Sequence, residues 1–252
     1  MIYITGSSGQ IGRSLVSKLE TLDLALTKIH HDDYRKITFP QDKNSVLVHL
    51  GWETRNRSRA VQEQCRVESY DLISKALAAE MRVIYISSDS ALSSTRSNYG
   101  QAKFKLQDQF NSMNVTCVRI GFVDFPSESK NYIKIAVKIF NHNLVIPRLI
   151  RPELRMRVIP QEKLIESLLE LIHTSSKTIL DLPEIHHTYA LEEYLLYKSG
   201  RQGRNLPLQL PVPSGLVLFL LKVLSGLRGQ RTNWHDSLLG LVDSSRKADL
   251  ND

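Results

Sequence analysis

The chain has 252 residues, a formal net charge of +7 and two cysteines, so it has the length for one sizeable core with room for a smaller appended lobe. Cys65 and Cys117 lack paired-thiol spacing and no signal peptide is recognisable, which excludes a disulfide scaffold and leads us to expect a reducing, cytoplasmic compartment. The basic residues are spread along the chain, gathering at Arg148, Arg151, Arg155 and Arg157 and again at Arg201, Arg204, Arg228 and Arg231; no nucleic-acid motif accompanies them, and a phosphorylated ligand accounts for the charge as well.

A first strand, Ile2 to Thr5, runs directly into glycines at 6, 9 and 12. The helix that follows, near Ile11 to Thr21, carries Ile11, Leu15, Val16 and Leu19 at helical apolar spacing. Such a turn forms a seat for a dinucleotide pyrophosphate. Gly6 permits the tight exit from the strand, Gly9 lets backbone N–H groups approach phosphate oxygens, and Gly12 lets the helix pack closely on the sheet. The helix N-terminus then faces the anion with its partial positive charge.

A second strand is expected at Leu24 to Ile29, followed by the polar stretch His30 to Lys36. Asp32 and Asp33 lie about 20 residues beyond Gly12, where an acidic group binds an adenosine ribose, whereas Arg35 and Lys36 suit a 2′-phosphate. NAD and NADP both stay open on these residues. Too few residues separate Ile29 from Val46 for a further helix and a full strand.

Strands at Val46 to Leu50, Val83 to Ser87 and Val115 to Ile120 alternate with helices near Arg59 to Glu80 and Tyr99 to Asn111. A later helix, Gln161 to His173, and a short strand around Thr178 to Leu180 are expected to return to the same sheet. The strands are continuous apolar runs, as in a parallel sheet covered on both faces, so the expected class is a doubly wound α/β fold with a small C-terminal lobe. We divide the chain into a dinucleotide-binding core, 1–123, and a mainly substrate-binding lobe, 124–252, with about 158–182 returning to the core sheet.

The apolar run Leu216 to Leu227 is shorter than the about 20 residues a bilayer span needs, so no stable membrane insertion is expected. The histidine doublets His30-His31 and His186-His187 lack metal-ligand spacing, and no metal is expected.

The second chemical constellation is Tyr99-Gly-Gln-Ala-Lys103, preceded by Ser87-Ser88-Asp89-Ser90 at the end of a strand. A tyrosine and a lysine four apart on a helix share a face, so the ammonium can sit near the phenol and lower its proton affinity. A serine hydroxyl at the strand's C-terminal end can share a substrate oxygen with that phenol. With nine tyrosines the spacing also arises by chance, as at Tyr194 to Lys198, which lacks a serine platform and is assigned a structural role.

Taken together, Thr5-Gly-Ser-Ser-Gly-Gln-Ile-Gly12, Val46-Leu-Val-His-Leu-Gly51, Ser87-Ser88, Tyr99-x-x-x-Lys103 and Val118-Arg-Ile-Gly-Phe-Val123 resemble an extended short-chain dehydrogenase/reductase of the sugar-nucleotide epimerase, dehydratase and reductase group. The resemblance covers nearly the whole chain, including Val158 to Leu164 and Thr188 to Tyr194. It implies NAD or NADP bound by Gly6, Ser8, Gly9, Gln10, Ile11, Gly12, Asp32, Leu50, Gly51, Tyr99, Lys103, Gly121 and Phe122. It further implies a nucleoside-diphosphate sugar as substrate, with Ser88, Tyr99 and Lys103 catalytic. Tyr99 would move the proton of the sugar oxygen, Lys103 would hold the nicotinamide ribose and Ser88 would orient the sugar. Substrate contacts are expected from Ser88, Asp89, Arg155 and Arg157, since a guanidinium binds phosphate oxygens in a bidentate way. A homodimer formed through the helices at Arg59 to Glu80 and Tyr99 to Asn111, and a role in surface-polysaccharide synthesis, are also implied.

Ser90 stands where the group's dehydratases carry a glutamate, which disfavours dehydration. The Gly-Gln-Ile-Gly turn and the Ser88-Asp89 pair resemble 4-keto-sugar reductases, while Val48-His-Leu-Gly51 and the C-terminal half resemble 4-epimerases. Epimerisation is placed ahead of keto reduction. A non-catalytic dinucleotide sensor or scaffold is the alternative of a different class, and the intact Ser88, Tyr99 and Lys103 speak against it.

Overall fold

A computed structural model of the chain describes residues 1–110, 113–125, 145–150, 154–174, 179–181, 186–199, 208–213, 216 and 233–249. Its centre is a six-stranded, all-parallel sheet in the order β2-β1-β3-β4-β5-β9. The strands are β1 (Ile2–Thr5), β2 (Leu26–Ile29), β3 (Val46–His49), β4 (Arg82–Ser88), β5 (Val115–Ile120) and β9 (Ile179–Asp181). Because β1 lies between β2 and β3, the strand order reverses there, and the crevice beyond the C-terminal ends of β1 and β3 is where open α/β sheets take their ligands.

Alternation along each strand sends side chains to two apolar layers. On one face Ile4, Val48, Ile84, Ile86 and Val118 pack against Leu15, Val16 and Leu19 of α1 (Gln10–Thr21) and Leu164 and Leu168 of α4 (Gln161–His173). On the other face Leu47, Val83, Tyr85 and Cys117 meet Leu72 and Ile73 of α2 (Arg59–Ala78) and Leu106 of α3 (Asn98–Gln109). Cys117 is thus a buried apolar residue, and Cys65 is a half-buried free thiol on α2.

Element boundaries differ from the sequence expectation by one or two residues, most clearly at β2 and α2. β2 begins at Leu26, and its Thr27 and Lys28 are exposed, because this strand is the sheet edge and has only β1 as a neighbour. α2 ends at Ala78 because Glu80 adopts a left-handed conformation and the Met81 N–H returns to the Ala76 carbonyl at 3.0 Å, closing the helix in a Schellman turn. Asp23 does the same after α1, where the Leu24 N–H bonds the Leu19 carbonyl at 3.1 Å. Between Ile29 and Val46 the described chain makes only a 3-10 turn at His31–Asp33, then buries Tyr34 and Phe39 against the sheet without adding a strand.

A second sheet, in the order β10-β8-β6, joins β6 (Phe122–Asp124), β8 (Arg155–Pro160) and β10 (His187–Ala190). It packs with α5 (Leu191–Ser199) and α6 (Asn233–Asp249) through Met156, Val158, Tyr194, Leu154 and Val242. β7 (Val145–Ile150) and β11 (Leu208–Pro213) form a parallel pair. Arg151, Arg201, Arg204, Arg228 and Arg231, and all of the run Leu216 to Leu227 beyond Leu216, lie outside the described residues. Among the described residues no helix is long and apolar enough to cross a membrane, and no cluster of three or more His, Cys, Asp or Glu is arranged to hold a metal.

Candidate active site

The glycine turn is tighter than its sequence alone reveals. Gly6 has φ +67°, and a Cβ there would lie 2.7 Å from the Gly51 nitrogen, so the ends of β1 and β3 touch backbone to backbone. A Cβ on Gly12 would lie 2.1 Å from the Gly6 carbonyl oxygen. Gly9 caps α1, donates its N–H to the Gly6 carbonyl at 2.9 Å and offers no side chain to the helix terminus. No acidic residue occupies the first turn of α1, whose N–H groups and positive dipole end therefore suit an anion, and Gln10 opens this turn. Arg13 adds a cation, its guanidinium donating to the Ser8 carbonyl, while Ile11 packs half-buried on the core.

Thr5, at the end of β1, organises the opposite wall. Its hydroxyl accepts from the Leu50 and Gly51 N–H groups at 3.1 and 3.0 Å, so its single proton goes to His49 Nδ1 at 2.8 Å. The network thus assigns the Nε2–H tautomer to His49, which donates to Ser69 Oγ at 2.9 Å. Burial, aided by nearby Lys103, pushes His49 down to about 3, so it stays neutral. Tyr34 closes the crevice from the side. A Cβ on Gly51 would lie 2.2 Å from the Tyr34 hydroxyl, and burial pushes that phenol up to about 12. Asp32, in contrast, has its side chain 99% exposed in the turn after β2, with Arg35 and His31 both drawn to Glu68 at 3.1 and 2.8 Å.

At the far end of β4, Ser88 Oγ lies 3.0 Å from Ser90 Oγ. Ser90 in turn packs on the start of α3, where a Cβ on Gly100 would lie 2.3 Å from the Ser90 carbonyl. Ser97 caps α3 by accepting from the Gly100 N–H at 3.1 Å, which aims the first turn and with it Tyr99. Lys103, one turn later, is only 4% exposed. Its ammonium donates to the Ile86 carbonyl at 2.6 Å and stands 4.2, 4.7 and 5.9 Å from the ring centroids of Trp52, Tyr85 and Tyr99. Burial pushes Lys103 down to about 7.

The candidate substrate residues converge unevenly. Asp89 and Arg157 form an ion pair at 3.1 Å beside Gly121, where a Cβ would meet the Arg157 carbonyl at 2.1 Å. The Gly121 N–H donates to His186 Nε2 at 3.1 Å. Arg155 is exposed on β8, its backbone held at both N–H and carbonyl by Ser245 of α6 at 3.0 and 3.1 Å. The Phe122 ring packs edge-on to Tyr194, 5.7 Å away, within the second sheet's apolar cluster. Tyr194 and Lys198 both reach Asp124, with the phenol donating at 3.0 Å, so this pair ties α5 to β6.

Several residues of the site are missed by sequence reasoning. Trp52 presents its edge to Tyr99 at 6.3 Å and is anchored by its indole N–H on Gln62 at 2.8 Å. Arg57 stacks on the Tyr99 ring with its guanidinium carbon 4.7 Å from the centroid. Asp236 and Asp243 of α6 hold the loop that leads into α3. The first accepts from Ser97 Oγ and the Asn98 N–H at 2.8 and 2.6 Å, the second from the Arg96 N–H at 2.7 Å and its guanidinium. The usable signal for Trp52 and Arg57 is their place in a loop at the C-terminal end of a strand; for the two aspartates, distant in sequence, there is none.

No family model and no curated protein sequence matches the chain. Solved structures do. A dTDP-4-dehydrorhamnose reductase from Yersinia enterocolitica superposes with a TM-score of 0.68 at 15% identity, over 85% of this chain and 84% of that one. A UDP-N-acetylglucosamine 4-epimerase from Bacillus cereus gives 0.64 at 12% identity, over 84% of each chain. The enzyme WbmH of Bordetella bronchiseptica, in complex with NAD+, gives 0.65 at 12%, over 84% of this chain and 85% of that one. The chain therefore has the fold of the extended short-chain dehydrogenase/reductases that its motifs resemble.

Proposed function

We propose that this protein is an NAD(P)-dependent oxidoreductase or epimerase acting on a nucleoside-diphosphate sugar, and that its reaction is 4-epimerisation. The observation that carries the dinucleotide-dependent reading is the placing, at the C-terminal edge of one sheet, of a helix N-terminus with no side-chain cap and a Tyr99-Lys103 pair one loop beyond Ser88. The choice of epimerisation follows the resemblance of Val48-His-Leu-Gly51 and the C-terminal half to 4-epimerases. The tight contacts at Gly6, Gly12 and Gly51 fit a dinucleotide: they bring the turn, the α1 N–H groups and the β3 exit together around a crevice that larger side chains would close. When bound, the dinucleotide supplies the hydride chemistry. Tyr99 moves the proton of the sugar oxygen, and Ser88 orients that oxygen. Arg157, braced by Asp89 and close to Gly121, is the better placed of the two arginines for a substrate diphosphate.

The hydroxyl-aspartate pair Ser88-Asp89 favours a second reading, reduction of a 4-keto-sugar nucleotide. α2 and α3 lie side by side on one face of the sheet, and we assign to them the homodimer contact. The test is the cofactor content of the purified protein combined with turnover of UDP- and dTDP-linked sugars by wild type and Tyr99→Phe. Retained NAD and epimerised product support epimerisation; an empty site that oxidises NADPH only with a keto-sugar supports reduction. Turnover unchanged in Tyr99→Phe would overturn the mechanism, and tight NAD binding with no turnover of any sugar nucleotide would instead support a sensor.

A further inference from the structure

Among the described residues two cations stand at the Tyr99 ring, and they are not equivalent. The nearer is Arg57, 4.7 Å from the centroid; Lys103 stands 5.9 Å away. Lys103 also points its ammonium at the Ile86 carbonyl, inside a cage made with Trp52 and Tyr85, and burial pushes its pKa down to about 7. Arginine stays charged at every working pH.

Arg57 is held from two directions. Its backbone carbonyl accepts from Asn98 Nδ2 at 3.1 Å, and its guanidinium lies 3.7 Å from Asp236 of α6. Asp236 is 8% exposed and is the same carboxylate that accepts from Ser97 and Asn98 at the start of the tyrosine helix. One buried carboxylate therefore joins the cation over the ring to the helix that carries the ring.

We propose that Arg57 is a positioning residue for Tyr99, stacking a permanent charge on the phenol so as to favour the phenolate, and that Asp236 sets how much of that charge the phenol feels. The inference rests on the reading of Tyr99 as the proton-transfer group. A cation over the face of a neutral phenol gains from the ring quadrupole, and it gains more from the full charge of the phenolate. Among the described residues, the charged and titratable groups facing the ring include Arg57 from the loop after β3, Lys103 from α3 and Tyr85 from β4, with Asp236 of α6 behind Arg57. Removing Arg57 raises the proton affinity of Tyr99, whereas neutralising Asp236 unmasks Arg57 and lowers it. A purely structural role would not give opposite signs.

The experiment is an NMR titration of the protein with 13C at tyrosine Cζ, the Tyr99 signal being identified by its loss in Tyr99→Phe. Arg57→Met is expected to raise the Tyr99 midpoint by about one pH unit, Arg57→Lys to keep it near wild type, and Asp236→Asn to lower it. Asparagine retains an acceptor for the Asn98 N–H and a donor for Ser97, so the helix start keeps its anchor. An unmoved midpoint in Arg57→Met, or a shift of the same sign in Arg57→Met and Asp236→Asn, would overturn the proposal. Should Arg57→Met fail to fold, Asp236→Asn decides: a lowered midpoint supports it and an unmoved or raised one overturns it. The titration needs neither cofactor nor sugar, so its outcome is separate from the turnover loss that tests the Tyr99 mechanism.

Discussion

Replacing Lys103 with methionine removes a charge that the fold holds at a cost, and the pH dependence of stability measures that cost. Burial lowers Lys103 from its ordinary 10.5 to about 7, although the Ile86 carbonyl and three aromatic rings surround the ammonium. Below about pH 7 native and unfolded chains both hold the proton, and the full penalty, on the order of 5 kcal/mol, weighs on the native state. From about 7 to 10.5 the unfolded chain still binds a proton that the native chain has released, so wild-type stability rises with pH at about 1.4 kcal/mol per pH unit at most. Above that window the slope disappears.

Methionine fits the same cage without a charge. Lys103→Met is therefore expected to be more stable than wild type at pH 5, less the about 1–3 kcal/mol for an Ile86 carbonyl deprived of its donor. Its advantage should shrink by about 3 kcal/mol between pH 5 and pH 9. Urea unfolding followed by circular dichroism at pH 5, 7 and 9 reads this, with an unchanged denaturant slope showing that the unfolded state is the same. Stability curves for the two proteins that run parallel across this range would refute the reasoning, because Lys103 would then keep its ordinary proton affinity in the fold.

Two further substitutions probe the remaining assignments. Gly12→Ala places a Cβ 2.1 Å from the Gly6 carbonyl oxygen, so the turn must move by more than 1 Å to restore an ordinary contact. We expect a loss of about 1–3 kcal/mol in stability and at least about tenfold weaker NADH binding by fluorescence titration, and unchanged binding would remove the turn from the dinucleotide site. Tyr194→Phe deletes the hydrogen bond to Asp124 and should cost about 1 kcal/mol in thermal unfolding while leaving turnover at the wild-type rate. Turnover lost as in Tyr99→Phe would show that the second Tyr-x-x-x-Lys pair takes part in the chemistry.

The fold is read from the chain because its signals are local. Continuous apolar strands, Gly6, Gly9 and Gly12 after β1, and the helical spacing of Leu15, Val16 and Leu19 each act within a dozen residues, and together they admit few packings other than a doubly wound sheet. The shortened segment between Ile29 and Val46 is readable for the same reason, since the residue count leaves no length for another helix and strand. Ser88, Tyr99 and Lys103 are legible because one loop joins a strand end to a helix start.

What is not legible is the environment of those side chains. The cage of Trp52, Tyr85 and Tyr99 around Lys103 draws on β4, α3 and the loop after β3, and its effect on the lysine arises from burial, which no spacing encodes. Helical spacing brings Lys103 toward Tyr99, yet its ammonium is turned onto the Ile86 carbonyl, and the cation closer to the ring comes from Arg57. Asp236 and Asp243 reach the tyrosine helix from a helix more than a hundred residues later. The sequence by itself determines the layers, the glycine turn after β1 and the candidate triad of Ser88, Tyr99 and Lys103, because hydrophobic period and glycine geometry are properties of short segments. Only the tertiary structure decides which charges the triad feels, because Coulomb interactions and desolvation depend on distances through space and not along the chain.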